Sequence, residues 1–180
     1  MNPSALSVNY GDITDRKKLR QRLNCKSFRW YLENIYPESP LPIDVVRLGE
    51  VRHKKTGYCL DSLGHKIDES VGTSRCHGQG GNQVFAMTEG GAIRFQVGCM
   101  DGGDRRNVGT GKLFFRGCVN GSVSQTFEIS KNRIIHKATK LCLVVAPVAK
   151  GVRLTLSVCA DTPDFYWTLP PLFNDTSVAL

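Results

Sequence analysis

Six of the seven cysteines form three pairs of nearly equal spacing, and this pattern constrains the fold more than any other feature of the sequence. The two cysteines of each pair are separated by 17, 19 and 17 positions in turn. The pairs are Cys59 with Cys76, Cys99 with Cys118, and Cys142 with Cys159. Regular spacing of this kind predicts three disulfides, and therefore an oxidising compartment.

Each cysteine pair marks one of three internal repeats. Their first cysteines lie 40 and 43 positions apart, and each repeat closes on Gln-x-aromatic or a remnant of it. These closing tripeptides are Gln83-Val-Phe85, Gln125-Thr-Phe127 and Phe165-Tyr-Trp167. A unit of about 40 residues cannot bury its own apolar face, so the three units must pack together. We expect the terminal aromatic residues to meet in one core around a pseudo-threefold axis.

The chain changes character near residue 47. Beyond this point the apolar runs are short and are broken by glycine pairs, which predicts many short strands. Residues 12–36 instead suit two helical segments, with Asp12 or Thr14 as the first N-cap and Ser27 as the second. We therefore predict a helical segment at 1–36, a proline-rich linker at 37–46, a β domain at 47–170 and a tail at 171–180. The repeats fall at about 47–88, 89–130 and 131–170.

Composition restricts the class of protein. With 41% hydrophobic and 22% charged residues, the chain suits a soluble globular protein. No apolar run approaches the roughly 20 residues of a membrane span, and the first residues do not form a signal peptide. An oxidising compartment without a means of reaching it suggests that the chain is a piece of something longer.

The net charge of +8 is concentrated between residues 16 and 29, where seven basic residues occur without an acidic one. The simplest interpretation is a solvated helix face. A contact with acidic glycans or an acidic membrane surface remains a second interpretation. Nucleic acid is not an expected partner, because few aromatic residues are interleaved with the charge.

The three repeats resemble the Q-x-W repeat of ricin B-type lectins, whose fold is the all-β β-trefoil. Upstream of them, the segment from Tyr10-Gly-Asp-Ile-Thr-Asp15 to Trp30-Tyr-Leu-Glu-Asn-Ile-Tyr-Pro37 resembles the end of the catalytic domain of polypeptide N-acetylgalactosaminyltransferases. In that family a glycosyltransferase domain continues through a linker into a ricin B-type lectin domain. The resemblance implies the Golgi lumen or secretory pathway, and GalNAc-bearing glycopeptides or mucin-like glycoproteins as partners.

The catalytic equipment of that family is missing from this sequence. The family holds Mn²⁺ and UDP-GalNAc in its catalytic domain with an Asp-x-His motif, and no Asp-x-His occurs here. We therefore expect no cofactor, metal or catalytic residue in this chain, and no sugar transfer by it alone. A fragment or isoform of the transferase remains an open alternative. Cys25 matches a cysteine that the family ties to the catalytic domain, so we expect it to be unpaired.

Recognition of a galacto-configured sugar calls for particular polar groups. The axial 4-hydroxyl lies beside the 3-hydroxyl, so one carboxylate can accept hydrogen bonds from both. The resemblance assigns this role to Asp61, with Asn82 and His77 as further sugar contacts. Family members often carry a stacking aromatic residue where this chain has Ser74, so His77 would have to replace it. The sequence leaves the choice between GalNAc and galactose open.

The second and third repeats keep fewer of these polar residues than the first. The second repeat keeps Asp101 but has Val119 and Ser124 at the positions of His77 and Asn82, which makes it a possible weak second sugar site. The third repeat has Val144 in place of the aspartate, and we expect it to be structural.

Overall fold

The computed structural model describes residues 11–36, 44–96, 98–103, 111–148 and 151–172. The chain divides into two compact units, residues 1–43 and 44–180. Within the described ranges, no helix combines the length and the apolar character that crossing a membrane requires.

The first unit contains two short helices, α1 at Thr14–Arg22 and α2 at Phe28–Asn34. The second N-cap prediction is confirmed, because the Ser27 hydroxyl accepts a hydrogen bond from the Trp30 N–H at 3.0 Å. The first was wrong, since the N-cap of α1 is Ile13. The difference has a local cause. The Asp12 carboxylate accepts from the N–H of Thr14, only two residues along the chain, at 2.8 Å, and so forms a tight turn ahead of the helix.

The second unit consists of short antiparallel strands, which the glycine-broken apolar runs predicted. The strands are β1 Val45–Gly49, β2 Arg52–His53, β3 Tyr58–Asp61, β4 Gly72–Arg75, β5 Phe85–Thr88, β6 Ile93–Phe95, β7 Gly98–Asp101, β8 Phe114–Gly117, β9 Phe127–Ser130, β10 Arg133–His136, β11 Cys142–Val148, β12 Gly151–Ser157 and β13 Trp167–Thr168. A 3-10 turn precedes each closing aromatic region, at Gly81–Gln83, Val123–Gln125 and Pro163–Phe165. The first repeat thus supplies five strands, the second and third supply four each, and every repeat supplies one 3-10 turn.

The strands form three sheets that link the repeats. Their strand orders are β1-β5-β6-β7-β8, β12-β11-β10-β9 and β13-β2-β3-β4. The pairing of Ala86 with Arg94 joins the first repeat to the second. The pairing of Trp167 with His53 brings the end of the third repeat back to the first. The repeats therefore close into a ring.

The closing aromatic residues lie in one core, as the sequence predicted. Phe85 and Trp167 are fully buried and Phe127 is 4% exposed, and all three belong to the same hydrophobic cluster. The Trp167 indole N–H donates to the Leu143 carbonyl at 3.0 Å, so this buried donor is satisfied. Three repeats fill a core that one could not.

All three predicted disulfides are present, and each lies within its own repeat. Cys25 is a free, exposed cysteine, as predicted. Each disulfide ties the strand that carries its first cysteine to the loop after the following strand. This loop leads directly into the 3-10 turn of the repeat.

Candidate functional site

The carboxylate of Asp61 is held by donors from three segments of the first repeat. It ends β3 and is only 4% exposed. One oxygen, Oδ1, accepts from the Leu63 N–H at 2.7 Å, while Oδ2 accepts from Gln83 Nε2 at 2.9 Å and from the Ser74 hydroxyl. A carboxylate offers about four acceptor positions, so about one remains on Oδ1 for a ligand.

Gln83 is the residue that connects these segments. Its Nε2 also donates to the Arg75 carbonyl at 3.0 Å, and its Oε1 accepts from the His77 N–H at 3.2 Å. One buried amide therefore fixes Asp61, the end of β4 and the loop that carries His77. The glutamine thus satisfies backbone groups of the loop as well as the Asp61 carboxylate.

Ser74 has a different role from the stacking aromatic residue expected at its position. Its hydroxyl donates to the Asp61 carboxylate and accepts from Gln83 Nε2 at 2.7 Å. It therefore adds to the hydrogen-bonded clamp and offers no flat surface. His77 is exposed, and its Nδ1 accepts from the Gln79 N–H at 3.1 Å, which orients the ring.

Asn82 returns to the Asp61 loop through the 3-10 turn. The Ser62 N–H donates to the Asn82 backbone carbonyl at 2.9 Å, which places the two turns side by side. Gly80 and Gly81 have positive φ angles of 76° and 58°, so the chain can reverse here without a Cβ clash. The Asn82 side chain is exposed, and none of its amide atoms bonds to another described residue. Asp61 and Asn82 are thus brought together, with His77 beside them.

The second repeat contains the same clamp without the projecting groups. Asp101 accepts from the Gly103 N–H at 2.8 Å, the Ser124 hydroxyl at 2.9 Å and Gln125 Nε2 at 3.1 Å. Ser124, which replaces the asparagine, is directed inward at the carboxylate. Because Val119 replaces the histidine, Asp101 has neither neighbour that flanks the first site.

The third repeat replaces the clamp with apolar packing. Val144 and Phe165 stand at the positions of the aspartate and the glutamine, and both are buried together with Cys142. Both the carboxylate and the amide of the clamp are thus replaced by apolar side chains in this repeat. The third repeat therefore lacks the carboxylate and the amide that form the clamp in the other two.

A family model for the ricin-type beta-trefoil lectin domain matches residues 47–167, which is more than half of the chain. The chain belongs to this lectin family. The β-trefoil predicted from the three repeats is thereby confirmed.

Curated relatives of this lectin chain are polypeptide N-acetylgalactosaminyltransferases, which confirms the resemblance seen in the sequence. Transferase 13 from Homo sapiens is 50% identical over 101 residues, covering 56% of this chain and 18% of the relative. Transferase 5 from Caenorhabditis elegans is 37% identical over 166 residues, covering 88% of this chain and 25% of the relative. The chain thus spans a quarter or less of the length of these relatives.

Solved structures show the same relationships. The crystal structure of GalNAc-T7 with UDP, GalNAc and Mn²⁺ matches 94% of this chain and 32% of its own, with a TM-score of 0.67 and 29% identity. The C-half of an earthworm R-type lectin in complex with GalNAc matches 69% of this chain and 98% of its own, with a TM-score of 0.55. At 14% identity the second match shows the fold alone.

The clamp of the lectin's first repeat controls the charge of Asp61. Burial raises the pKa of this carboxyl, but hydrogen bonds from Ser74, the Leu63 N–H and Gln83, together with the charge of His77, outweigh burial and lower it below the usual 3.8. Asp61 is therefore ionised at neutral pH and can only accept hydrogen bonds. Sugar hydroxyl groups are suitable donors for it.

The depressed pKa of Asp61 predicts a loss of stability in acid. Because the folded pKa lies below the unfolded one, the ionised clamp stabilises the lectin above the unfolded pKa, and this contribution disappears as the pH falls through the folded pKa. Melting curves from neutral pH down through the carboxyl range should show a difference between the wild type and Asp61→Asn that shrinks with falling pH. A difference that grew with acidity would contradict the assignment.

Glu50 is a contributor that the sequence analysis missed. Its Oε1 accepts from the Gly78 N–H at 2.7 Å, which holds the loop that carries His77. The equivalent positions in the other repeats are Ala92 and Arg133, so a comparison of the repeats could have revealed it. Donor atoms of Glu50, Cys59 and Cys76 lie within 4.8 Å of one another, but both sulfurs are used in the disulfide. This group does not fit a metal ion.

Proposed function

We propose that the chain is the lectin module of a polypeptide N-acetylgalactosaminyltransferase, and that its first repeat binds α-linked GalNAc on glycosylated peptides. The observation that carries this proposal is the ionised Asp61 clamp with Asn82 and His77 exposed beside it. The names of the curated relatives and the structural match to GalNAc-T7 support the link to the transferases. The GalNAc bound in a lectin of the same fold supports the class of ligand.

The hydrogen bonds of the clamp suggest how the sugar is held. Asp61 has about one acceptor position left, so it takes one of the two adjacent galacto hydroxyl groups. The other hydroxyl pairs with the Asn82 amide, which can both donate and accept. An epimer that lacks the axial hydroxyl leaves the free acceptor position of Asp61 or the Asn82 amide without its partner, at a cost of about 1–3 kcal/mol. His77 covers the open side of the site.

A weak site of this kind acts through effective concentration. A single sugar contact is expected to have a Kd around 1 mM, or roughly −4 kcal/mol. Binding one GalNAc nevertheless keeps the rest of the peptide near a linked transferase domain. Sugar transfer itself, with Mn²⁺ and UDP-GalNAc, we assign to a part of the relatives outside this chain, because no Asp-x-His occurs here and the Glu50 group does not fit a metal.

The disulfides support a location in the secretory pathway, and we propose the Golgi lumen by similarity to the transferases. The basic helix α1 offers a different function, in which acidic glycans bind to its charged side chains. The basic residues of α1 are all exposed, as that function would require. Binding that depends strongly on salt and is not displaced by GalNAc would favour it.

The proposal is tested by titrating the chain with a glycopeptide that carries one α-GalNAc-threonine, and following backbone amide shifts by NMR. We expect the largest shifts around Asp61, His77 and Asn82, with a Kd of about 1 mM. The same peptide without sugar serves as the control and should cause none. Equal shifts with both peptides, or shifts confined to α1, would refute the proposed site.

A further inference from the structure

The junction between the first and second repeats is built differently from the other two. At those two junctions a buried histidine, His53 or His136, donates from Nε2 to a backbone carbonyl of the neighbouring repeat. The acceptors are the carbonyls of Asp164 at 2.7 Å and Ser124 at 2.8 Å. The ring nitrogen is the donor in both cases, because a carbonyl oxygen can only accept.

Phe95 takes the place of this histidine in the second repeat. Its ring packs on Phe85 with centroids 5.5 Å apart, as His53 packs on Trp167 at 5.0 Å and His136 packs on Phe127 at 5.1 Å. The three residues are therefore structurally equivalent. A phenyl ring has no N–H, so this junction lacks the donor.

The hairpin that carries Phe95 is also shorter. Arg94 pairs with Cys99, whereas Arg52 pairs with Cys59 and Ile135 pairs with Cys142. Two residues present in the sister hairpins are thus missing from this one. In the two longer hairpins the chain after the histidine contacts the neighbouring repeat, since the N–H groups of Lys54 and Lys137 donate to the carbonyls of Tyr166 and Thr126.

These two changes leave an acceptor without its second partner. The Ser124 carbonyl accepts from the Gly102 N–H at 3.0 Å as well as from His136. The equivalent Asn82 carbonyl accepts from the Ser62 N–H at 2.9 Å and from no other described residue. One lone pair of Asn82 is therefore open to a donor from elsewhere.

Asn82 also lines a cavity of about 340 Å³, which we call the junction cavity. The rest of its lining includes the apolar residues Ile67, Phe95 and Phe115 and the polar residues His65, Lys66 and Gln96. The two phenylalanines are 8% and 2% exposed, and the isoleucine is 39% exposed at the wall. The volume falls within the range of about 300–1,000 Å³ that is usual for ligand pockets.

We propose that the junction cavity is a peptide subsite, which takes an apolar side chain flanking the GalNAc-bearing residue while a peptide N–H donates to the Asn82 carbonyl. This inference rests on the proposed function. Asn82 connects the two sites, because it belongs to the proposed sugar site and also lines the cavity. A second sugar ring fits less well, since some of its hydroxyl groups would lie against the wall formed by Phe95, Phe115 and Ile67.

The test uses glycopeptides with one α-GalNAc-threonine in an all-serine background, in which leucine replaces each flanking serine in turn. Methyl α-GalNAc reports on the sugar site alone. We expect leucine at one position to tighten binding to the full chain about tenfold, as burial of an apolar side chain predicts. If all peptides bind equally while methyl α-GalNAc binds, the subsite is refuted and the sugar site stands. If methyl α-GalNAc does not bind, the proposed function fails and the subsite with it.

Two variants locate the effect. Phe95→His restores the residue of the sister repeats and should remove the leucine advantage without changing the affinity for methyl α-GalNAc. Ile67→Asp puts a charge into the cavity wall and should reduce the leucine advantage about tenfold. Ile129→Asp is the matched control, because Ile129 is 41% exposed in β9 and does not line the cavity. Equal effects of the two isoleucine changes would overturn the proposal.

Discussion

Replacing Asp61 with asparagine is expected to abolish measurable binding of GalNAc-bearing peptides while leaving the β-trefoil folded. The amide has lost the charge and presents an N–H₂ group toward the donors of Gln83 or Leu63, so one buried donor loses its acceptor. We expect a cost of about 1–3 kcal/mol in sugar binding. From a starting Kd of about 1 mM, a loss of that size raises the Kd to about 5–150 mM, where a titration shows little or no saturation.

Binding is measured by NMR titration of the glycopeptide, and folding by circular dichroism and thermal melting. Asp101→Asn is the matched control, because Asp101 has the same clamp in the second repeat without the flanking histidine and asparagine. It should bind the glycopeptide like the wild type. Retention of binding in Asp61→Asn together with its loss in Asp101→Asn would reassign the site to the second repeat.

Replacing Gln83 with phenylalanine should be the more damaging change for stability. It removes a donor from the buried Asp61 carboxylate and leaves the His77 N–H and the Arg75 carbonyl without their partner. We expect a loss of about 3 kcal/mol in the free energy of unfolding, or roughly 10 °C in melting temperature.

The double variant Asp61→Val with Gln83→Phe should recover much of this loss. It reproduces the pair Val144 and Phe165, which packs as a buried apolar cluster in the third repeat. Replacing a whole buried polar group by well-packed apolar side chains is often close to neutral, whereas removing one partner is costly. Denaturant unfolding of wild type, both single variants and the double variant gives the coupling energy. If the effects of the two single variants on the free energy of unfolding simply add in the double variant, the apolar pair does not replace the polar pair as a unit and the prediction is wrong.

The fold was predictable because its sequence pattern occurs in three internal repeats. The three cysteine spacings and the closing aromatic residues Phe85, Phe127 and Trp167 each repeat a structural requirement, and agreement among copies makes it visible. The N-cap of α1 was not predictable in this way. Asp12 and Thr14 are both good capping residues, and the sequence cannot say which competes successfully with a local turn.

The candidate site was predictable only in part. Asp61 and Asn82 were assigned from the resemblance to the lectin family, and the structure brings them together. The hydrogen bond from Ser74 to Asp61 was missed. Ser74 was considered only as a replacement for an aromatic residue, and the two residues are too far apart in the sequence for their contact to be predicted from it. The junction cavity was missed because it arises from the absence of two residues and of one imidazole N–H. Sequence patterns indicate residues that are present, and they do not indicate the space left by residues that are missing.

The ring closure through β13 and β2 bears on how freely this domain can be rearranged in evolution. Leu172 also pairs with Arg47, so the last described residues lie beside the first strand of the ring. Each disulfide is confined to one repeat, and no covalent link depends on which repeat comes first. A circular permutant that begins at the second repeat and joins the old ends by a short peptide would keep every strand partner and every crosslink. The site in the first repeat could then move along the gene without moving in space.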